Sequence, residues 1–173
     1  MKTGWKTFVL AILMAFAIAP AARAENVKVL VASPKMGEFY TQTVIVIARE
    51  VEQGAIGYIV NRKTPMTLGR LFPDDAPSVK LNAPVYLGGP NNVQSVWALV
   101  DGQMVLPSDK VDEQISAADP KVRYFAGWVQ WEPGELDAEI DKGYWQVNEV
   151  PAAEFNPDKP WDSWVVQEGQ NRT

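Results

Sequence analysis

Five carboxylates form the densest set of reactive side chains in the chain: Glu132, Glu135, Asp137, Glu139 and Asp141. On a helix, Glu135 and Glu139 would share one face at a spacing of four residues, and Asp137 and Asp141 another. Paired carboxylates can act as general acid and base, or can bind Ca²⁺ or Mg²⁺. The spacing does not match a calcium-binding loop, and acidic residues early in a helix complement its dipole. A solvated helix face is the preferred interpretation, with a carboxylate-dependent hydrolase or metal-binding enzyme as the alternative.

Neither histidine nor cysteine occurs among the 173 residues. A Ser-His-Asp triad, a thiol nucleophile and a disulfide are therefore excluded, and zinc and haem sites lose their usual ligands. Ser33 precedes Pro34 and Lys35 but belongs to no pattern typical of a serine nucleophile. Enzyme activity stays open, but the composition favours a non-catalytic protein and predicts no cofactor or metal.

The stretch Gly88-Gly89-Pro90-Asn91-Asn92 follows a short apolar run and predicts a loop. Its backbone N–H groups could bind an anion or a carbonyl group. It lacks the spacing of a phosphate-binding loop, and a structural turn that needs positive φ at glycine is the favoured alternative.

Several other residues could either form a binding surface or make structural contacts. Trp128 and Trp131 could form a stacking platform or pack in the core, because each indole brings a large apolar area and one N–H donor. Asn61 could bind a ligand or satisfy turn backbone. A small basic group could meet an acidic partner but is too small for a nucleic-acid surface; its members are Arg49, Arg62, Lys63 and Arg70. The candidate binding residues are Ser33, Pro34, Asn61, Gly88, Gly89, Pro90, Trp128, Trp131, Gly134 and Glu135.

Residues 1–24 resemble a secretory signal peptide, with Lys2 and Lys6 before the apolar run Phe8–Ala19 and small residues before Glu25. We expect cleavage before Glu25, a single mature domain over residues 25–173 with a less regular tail from about residue 151, and export to the periplasm or medium. Cleavage leaves 13 Lys+Arg against 21 Asp+Glu, a net charge of −8. That charge argues against nucleic acid as a partner, and a cleaved chain would have no stable membrane insertion.

Short β-rich segments separated by Gly, Pro, Asn and Asp position these residues. Strands are expected at 27–32, 43–48, 55–61, 85–87, 95–100, 103–106, 122–129 and 144–147. Helices are expected at 67–72, from Ser108 or Asp109 to about Ala118, and at 133–142, with a helical turn around 161–166. Gly127 marks a bulge or a close approach. The pattern predicts an α+β fold with a largely antiparallel, barrel-like sheet flanked by a few helices.

Several of these segments, in order, resemble the AlgH/YqgE family of bacterial proteins. The matching segments are Leu30–Pro34, Phe39–Ile47, Gly54–Arg62, Pro84–Pro90, Gly127–Trp131, Pro133–Ile140 and Trp145. The resemblance implies an α+β fold with a barrel-like core. Family members commonly carry histidine where this chain has Arg49-Glu50 and Val100, and they are usually cytoplasmic, so the chain resembles an exported paralogue.

The expected function is that of an exported, non-catalytic binding or interaction domain. Its partner would be a protein or a small-molecule ligand, which the residues do not identify, and neither do they specify an oligomeric state. Some family members have been labelled transcriptional regulators, but an acidic exported chain without a DNA-binding motif argues against direct DNA binding.

Overall fold

The computed structural model describes residues 26–71, 82–100, 104–107 and 122–165. Within these ranges, nine strands and two short helices follow one another. The strands are β1 (Asn26–Ala32), β2 (Val44–Val51), β3 (Gly54–Ile59), β4 (Lys63–Thr67), β5 (Pro84–Leu87), β6 (Asn91–Val100), β7 (Met104–Pro107), β8 (Arg123–Trp131) and β9 (Trp145–Pro151). The helices are α1 (Leu68–Leu71) and α2 (Glu135–Asp141), and 3-10 turns lie at Glu38–Tyr40, Ala152–Glu154 and Trp161–Ser163.

One nine-stranded sheet joins these strands in the order β4-β5-β8-β3-β2-β1-β9, with β6 paired to β8 and β7 paired to β6. Every pair is antiparallel except β5 with β8. The α+β class with a largely antiparallel sheet is therefore confirmed. The sheet is not closed, since β4 and β9 lie at opposite ends of its path, so it resembles a barrel only loosely.

Three element predictions differ from the structure. Asn91 and Asn92 belong to β6 and not to a loop, because β6 begins directly after Pro90. The short strand β4 was not predicted, since its sequence KTPMT contains a proline, which is tolerated here because β4 lies at a sheet edge. β9 continues to Pro151 along the whole of β1. The expected helix after Ser108 and the signal peptide lie outside the described residues.

The core is built on both faces of the sheet. One cluster contains Val29, Val44, Tyr58 and Phe125, and the opposite one contains Leu30, Ile45, Ile59 and Trp131. Alternate residues of β1 and β2 enter alternate clusters, as the period of two along a strand requires. A third cluster surrounds Leu68, Val85 and Tyr124.

The C-terminal tail covers the first of these clusters. Trp164 is 5% exposed and packs in it, and the Trp161 indole N–H donates to the Ala32 carbonyl at 3.1 Å. The Arg123 guanidinium bonds to the Val60 carbonyl at 3.0 Å and forms an ion pair with Asp158 of the tail. Both tail tryptophans therefore dock on the body of the domain.

Gly88 fills the gap where β3 and β8 diverge. Its N–H donates to the Ala126 carbonyl, and its carbonyl accepts from Ile59, both at 2.8 Å. A Cβ at Gly88 would lie 2.3 Å from the Gly127 carbonyl oxygen, and one at Gly89 would lie 2.1 Å from the Trp128 carbonyl carbon. Neither glycine has positive φ, so close backbone approach, and not the turn geometry expected, accounts for this pair.

No helix within the described ranges is both long and apolar enough to cross a membrane.

Candidate functional site

Glu139 of α2 connects the helix to two strands. Its Oε2 atom accepts the indole N–H of Trp131 at 2.8 Å and that of Trp145 at 2.7 Å. Both tryptophans are almost fully buried, and their rings meet edge to face at 6.2 Å. Leu136, on the same helix face, packs in the cluster that holds both indoles. The carboxylate therefore fixes α2 on the sheet.

Glu135 has a local structural partner as well. Its carboxylate accepts the backbone N–H of Glu132 at 2.9 Å, and the Glu135 N–H donates back to the Glu132 carbonyl at 3.0 Å. Gly134 precedes the helix with φ of +76°, a conformation that glycine adopts at low cost. This reciprocal pair resembles a capping box, which satisfies free N–H groups at a helix start.

Tyr40 and Arg62 lie next to this helix and its tryptophans. The Tyr40 ring meets Trp145 edge to face at 5.5 Å. Burial and the neighbouring Glu139 charge raise the pKa of the Tyr40 hydroxyl. Arg62 stacks on Phe39, donates to the Phe39 carbonyl and to Thr43 Oγ1, and its pKa is lowered by burial. Its contacts hold the 39–43 segment against the end of β3.

A groove with a volume of about 130 Å³ opens beside Trp131, which is room for about four water molecules. Arg49, Ile56 and Gln130 lie side by side across β2, β3 and β8, in directly paired positions. Half-buried Ile56 is the apolar base, while Arg49, Gln53 and Gln130 are exposed. The full lining is Arg49, Val51, Gln53, Gly54, Ala55, Ile56, Gln130 and Trp131.

The groove offers hydrogen-bonding groups that the fold does not use. Within the described ranges, the side chains of Arg49, Gln53 and Gln130 make no hydrogen bond or ion pair with another residue. Val51 at its rim is 42% exposed. A bulge in β2 after Ile47 shifts the register of the strand, so that Arg49 pairs with Ile56. The bulge therefore places the Arg49 side chain in this row.

The remaining candidates lie apart from the groove. The Ser33 hydroxyl accepts the Lys35 N–H at 3.2 Å, which is a turn contact, and Pro34 is exposed. Asn61 accepts a hydrogen bond from the Val44 N–H at 3.1 Å and donates one to the Gln42 carbonyl at 2.8 Å. These bonds satisfy backbone groups at the start of β2.

Trp128 lies against the Gly88-Gly89-Pro90 segment, where Pro90 is exposed. Its ring meets Trp97 edge to face at 6.0 Å. The described contacts place the candidates in different surroundings: Trp131, Gly134 and Glu135 adjoin α2, Trp128 contacts Gly89, Ser33 bonds to Lys35, and Asn61 bonds to Gln42 and Val44.

Sequence reasoning did not select several residues that the geometry brings forward. They are Tyr40, Gln53, Trp97 and Gln130. Only the pairing of strands places Gln130 in one row with Arg49, since 81 positions separate them. The basic group that contains Arg49 and Arg62 was the usable signal in the sequence.

No group of three or more Asp, Glu, His or Cys able to hold a metal ion occurs in the part of the chain that the structure describes. Within the run Glu132–Asp141, Glu139 accepts from two indoles and Glu135 from a backbone N–H group, so these two carboxylates have different structural partners.

Comparisons with known proteins agree with this architecture. A family model described as AlgH-like (DUF179) matches residues 29–170. A UPF0301 protein of Myxococcus xanthus is 30% identical over 155 residues, which cover 78% of this chain and 85% of that protein. A UPF0301 protein of Neisseria gonorrhoeae is also 30% identical, over 144 residues that cover 72% and 78% of the two chains.

Two solved structures share the fold. The solution structure of the AlgH protein from Pseudomonas aeruginosa aligns with a TM-score of 0.60 and 24% identity over 83% of each chain. A crystal structure of a protein from Corynebacterium diphtheriae aligns with a TM-score of 0.58 and 25% identity over 78% of each chain. The family model spans most of the chain and the relatives match over most of their own length, so the chain belongs to the AlgH-like family.

Proposed function

We propose that this protein is an exported, non-catalytic domain that binds a small molecule or a protein side chain in the groove between β2, β3 and β8. The observation that carries the proposal is the row of Arg49, Ile56 and Gln130, in which two polar side chains with no partner among the described residues lie beside an apolar base. Small-ligand sites combine an apolar lining with a few well-placed polar groups.

The carboxylates favour binding over hydrolysis. Glu139 is occupied by two indole donors, and Glu135 by a backbone N–H. A general acid or base must reach the proton that it transfers, and these two groups already serve the fold. Replacing Glu135 with Gln would test the hydrolase alternative once an activity is known, because lost turnover with unchanged melting would restore it.

The export part of the proposal is supported by the first 24 residues, whose charged start, apolar run and small residues fit a signal peptide. N-terminal sequencing of the protein recovered from the periplasm or medium should give Glu25 as the first residue. A start at Met1, or recovery only from the cytoplasm, would contradict export.

The groove is tested with backbone and side-chain amide NMR spectra of ¹⁵N-labelled protein. The probes are acetate, inorganic phosphate, acetamide and glucose, each titrated separately. We expect at least one probe to produce saturable shifts centred on Gln53, Ile56 and Gln130. The variant Arg49→Leu should weaken them, while Arg70→Leu, at an exposed site on α1, should not. Shifts centred elsewhere, or no saturable shift with any probe, would contradict the groove as the binding site.

A further inference from the structure

Two buried hydrogen-bond donors lack an acceptor among the residues that the structure describes. The indole nitrogens of Trp97 on β6 and Trp128 on β8 are shielded from solvent and make no hydrogen bond within those ranges. The great majority of buried polar groups in native proteins have a partner, and leaving one unpaired is unfavourable. Trp131, Trp145, Trp161 and Trp164 all have an acceptor, which makes this pair the exception among the described tryptophans.

The strand beside the pair is irregular at this point. Asn91 pairs with Trp128 and Val96 with Ala126, so β6 uses four residues, Asn92–Ser95, where β8 uses only Gly127. Among the described residues, these four have no ladder partner opposite them. The bulge therefore lies directly beside the Asn91–Trp128 pair, which carries one of the two indoles.

The bulge is also strained and exposed. Asn92 adopts φ of +46°, which is uncommon for a residue other than glycine. Val93 is 49% exposed, and Gln94 is exposed. Gly127 has a φ of +72°, and a Cβ there would lie 2.6 Å from the Asn91 carbonyl oxygen. Its backbone therefore packs directly against the start of the bulge. Strain of this kind is often found at binding sites.

Charge determines which acceptor fits. Segments 91–99 and 126–129 contain no ionisable side chain. An anion shielded from water without a cation would be strongly unfavourable, whereas a neutral carbonyl oxygen accepts indole N–H bonds without that cost. Unpaired strand backbone recognises the same chemistry, because peptide groups pair with peptide groups when a strand is added.

We propose that the Trp97–Trp128 pair and the β6 bulge form a binding site for a neutral amide carbonyl group. The site is distinct from the groove and does not rest on it. The source of the amide is either a small free amide or an extended peptide segment of a partner, and only the peptide can also pair with the bulge backbone.

NMR of the indole N–H groups tests this directly. The ¹⁵N-labelled protein is titrated with N-methylacetamide and, separately, with the blocked dipeptide N-acetyl-alanyl-alanine methylamide, with sodium acetate as the charged control. We expect saturable downfield shifts of the Trp97 and Trp128 indole protons with the amides and none with acetate. Tighter binding of the dipeptide, with shifts in residues 92–95, would identify a peptide source, and equal affinities a small amide.

The variants Trp97→Phe and Trp128→Phe each remove one donor and should weaken binding of the better probe about tenfold, the effect of one hydrogen bond. Trp161→Phe, which removes an indole already bonded to Ala32, and Arg49→Leu, which disables the groove, should leave this affinity unchanged. If the first two variants fail to fold, the indole shifts in the unaltered protein still decide the matter.

Three outcomes would overturn the proposal. The first is the absence of saturable indole shifts with either amide. The second is a stronger response to acetate than to the amides. The third is a long-lived water molecule that contacts both indole protons, detected by water–indole cross-relaxation and undisturbed by the amides. Loss of probe shifts in the groove alone would contradict the proposed function and leave this site intact.

Discussion

At Glu139 one carboxylate oxygen accepts two buried indole N–H groups, so its removal leaves two donors unpaired at once. We expect Glu139→Ala to lower the free energy of unfolding by about 2–5 kcal/mol, since each unpaired buried donor costs about 1–3 kcal/mol. Asp137→Ala, an exposed acidic residue of the same helix, is the matched control and should change it by less than about 1 kcal/mol. Urea unfolding measures both, and equal effects would show that Glu139 is not the anchor of α2.

Tyr58 makes the free energy of unfolding depend on pH in the alkaline range. Burial raises the pKa of its hydroxyl to about 12, whereas an unfolded tyrosine ionises near pH 10. Between these two pH values the folded state therefore keeps the proton while the unfolded state loses it. Tyr58 contributes roughly 2–3 kcal/mol to the free energy of unfolding below pH 10, and this contribution is lost between about pH 10 and 12.

Unfolding in urea at pH 8, 10 and 11.5 should show this fall, and Tyr58→Phe should show a smaller one over the same range. Tyr144→Phe, at a half-buried position near the surface, is the control. An identical pH dependence in Tyr58→Phe and the unaltered protein would remove Tyr58 as the cause.

Among the elements, β5 is followed by a residue, Gly88, at which the fold leaves no room for a side chain. A methyl group at Gly88 would lie 2.3 Å from a backbone oxygen of β8, and backbone cannot move aside as a flexible side chain does. We expect Gly88→Ala to destabilise the protein by about 3 kcal/mol or more. Gly37→Ala is the control, since its Cβ would meet nothing within 4 Å and its φ of −68° suits alanine. Thermal melting should separate the two variants clearly, and a Gly88→Ala protein as stable as the control would contradict the close approach.

Elements with a local signal could be predicted from the sequence, and those without one could not. The runs around Val44 and Val29 are β-branched, and Glu135–Asp141 begins with a turn and acidic residues, so β1, β2 and α2 were identified. β4 contains a proline, so its sequence does not predict a strand. It forms one because an edge position in the sheet tolerates the missing N–H group. The groove depends on the pairing of Arg49, Ile56 and Gln130 across three strands, and the unpaired indoles depend on a bulge, so neither has a signature in any single segment.

For the molecule as a whole, two kinds of contact attach the C-terminal tail from Ala152 to one face of the sheet. Trp164 buries its ring in the core cluster, while Asp158, with three quarters of its side chain exposed, pairs with Arg123. Ion pairs with an exposed partner contribute about 0–1 kcal/mol, whereas truncating a buried Trp costs about 3–5 kcal/mol. Apolar burial should therefore dominate the attachment of the tail.

Trp164→Ala should accordingly lower the free energy of unfolding several times more than Asp158→Asn. A double-mutant cycle of Arg123→Met with Asp158→Asn should give a coupling of less than about 1 kcal/mol that shrinks as salt rises from 0.05 to 0.5 M, because exposed charges are screened. The Trp164→Ala effect should stay the same or grow slightly over that range, since burial of apolar surface does not depend on screening. A larger loss from Asp158→Asn than from Trp164→Ala, or a coupling insensitive to salt, would mean that the ion pair and not the indole fastens the tail to the sheet.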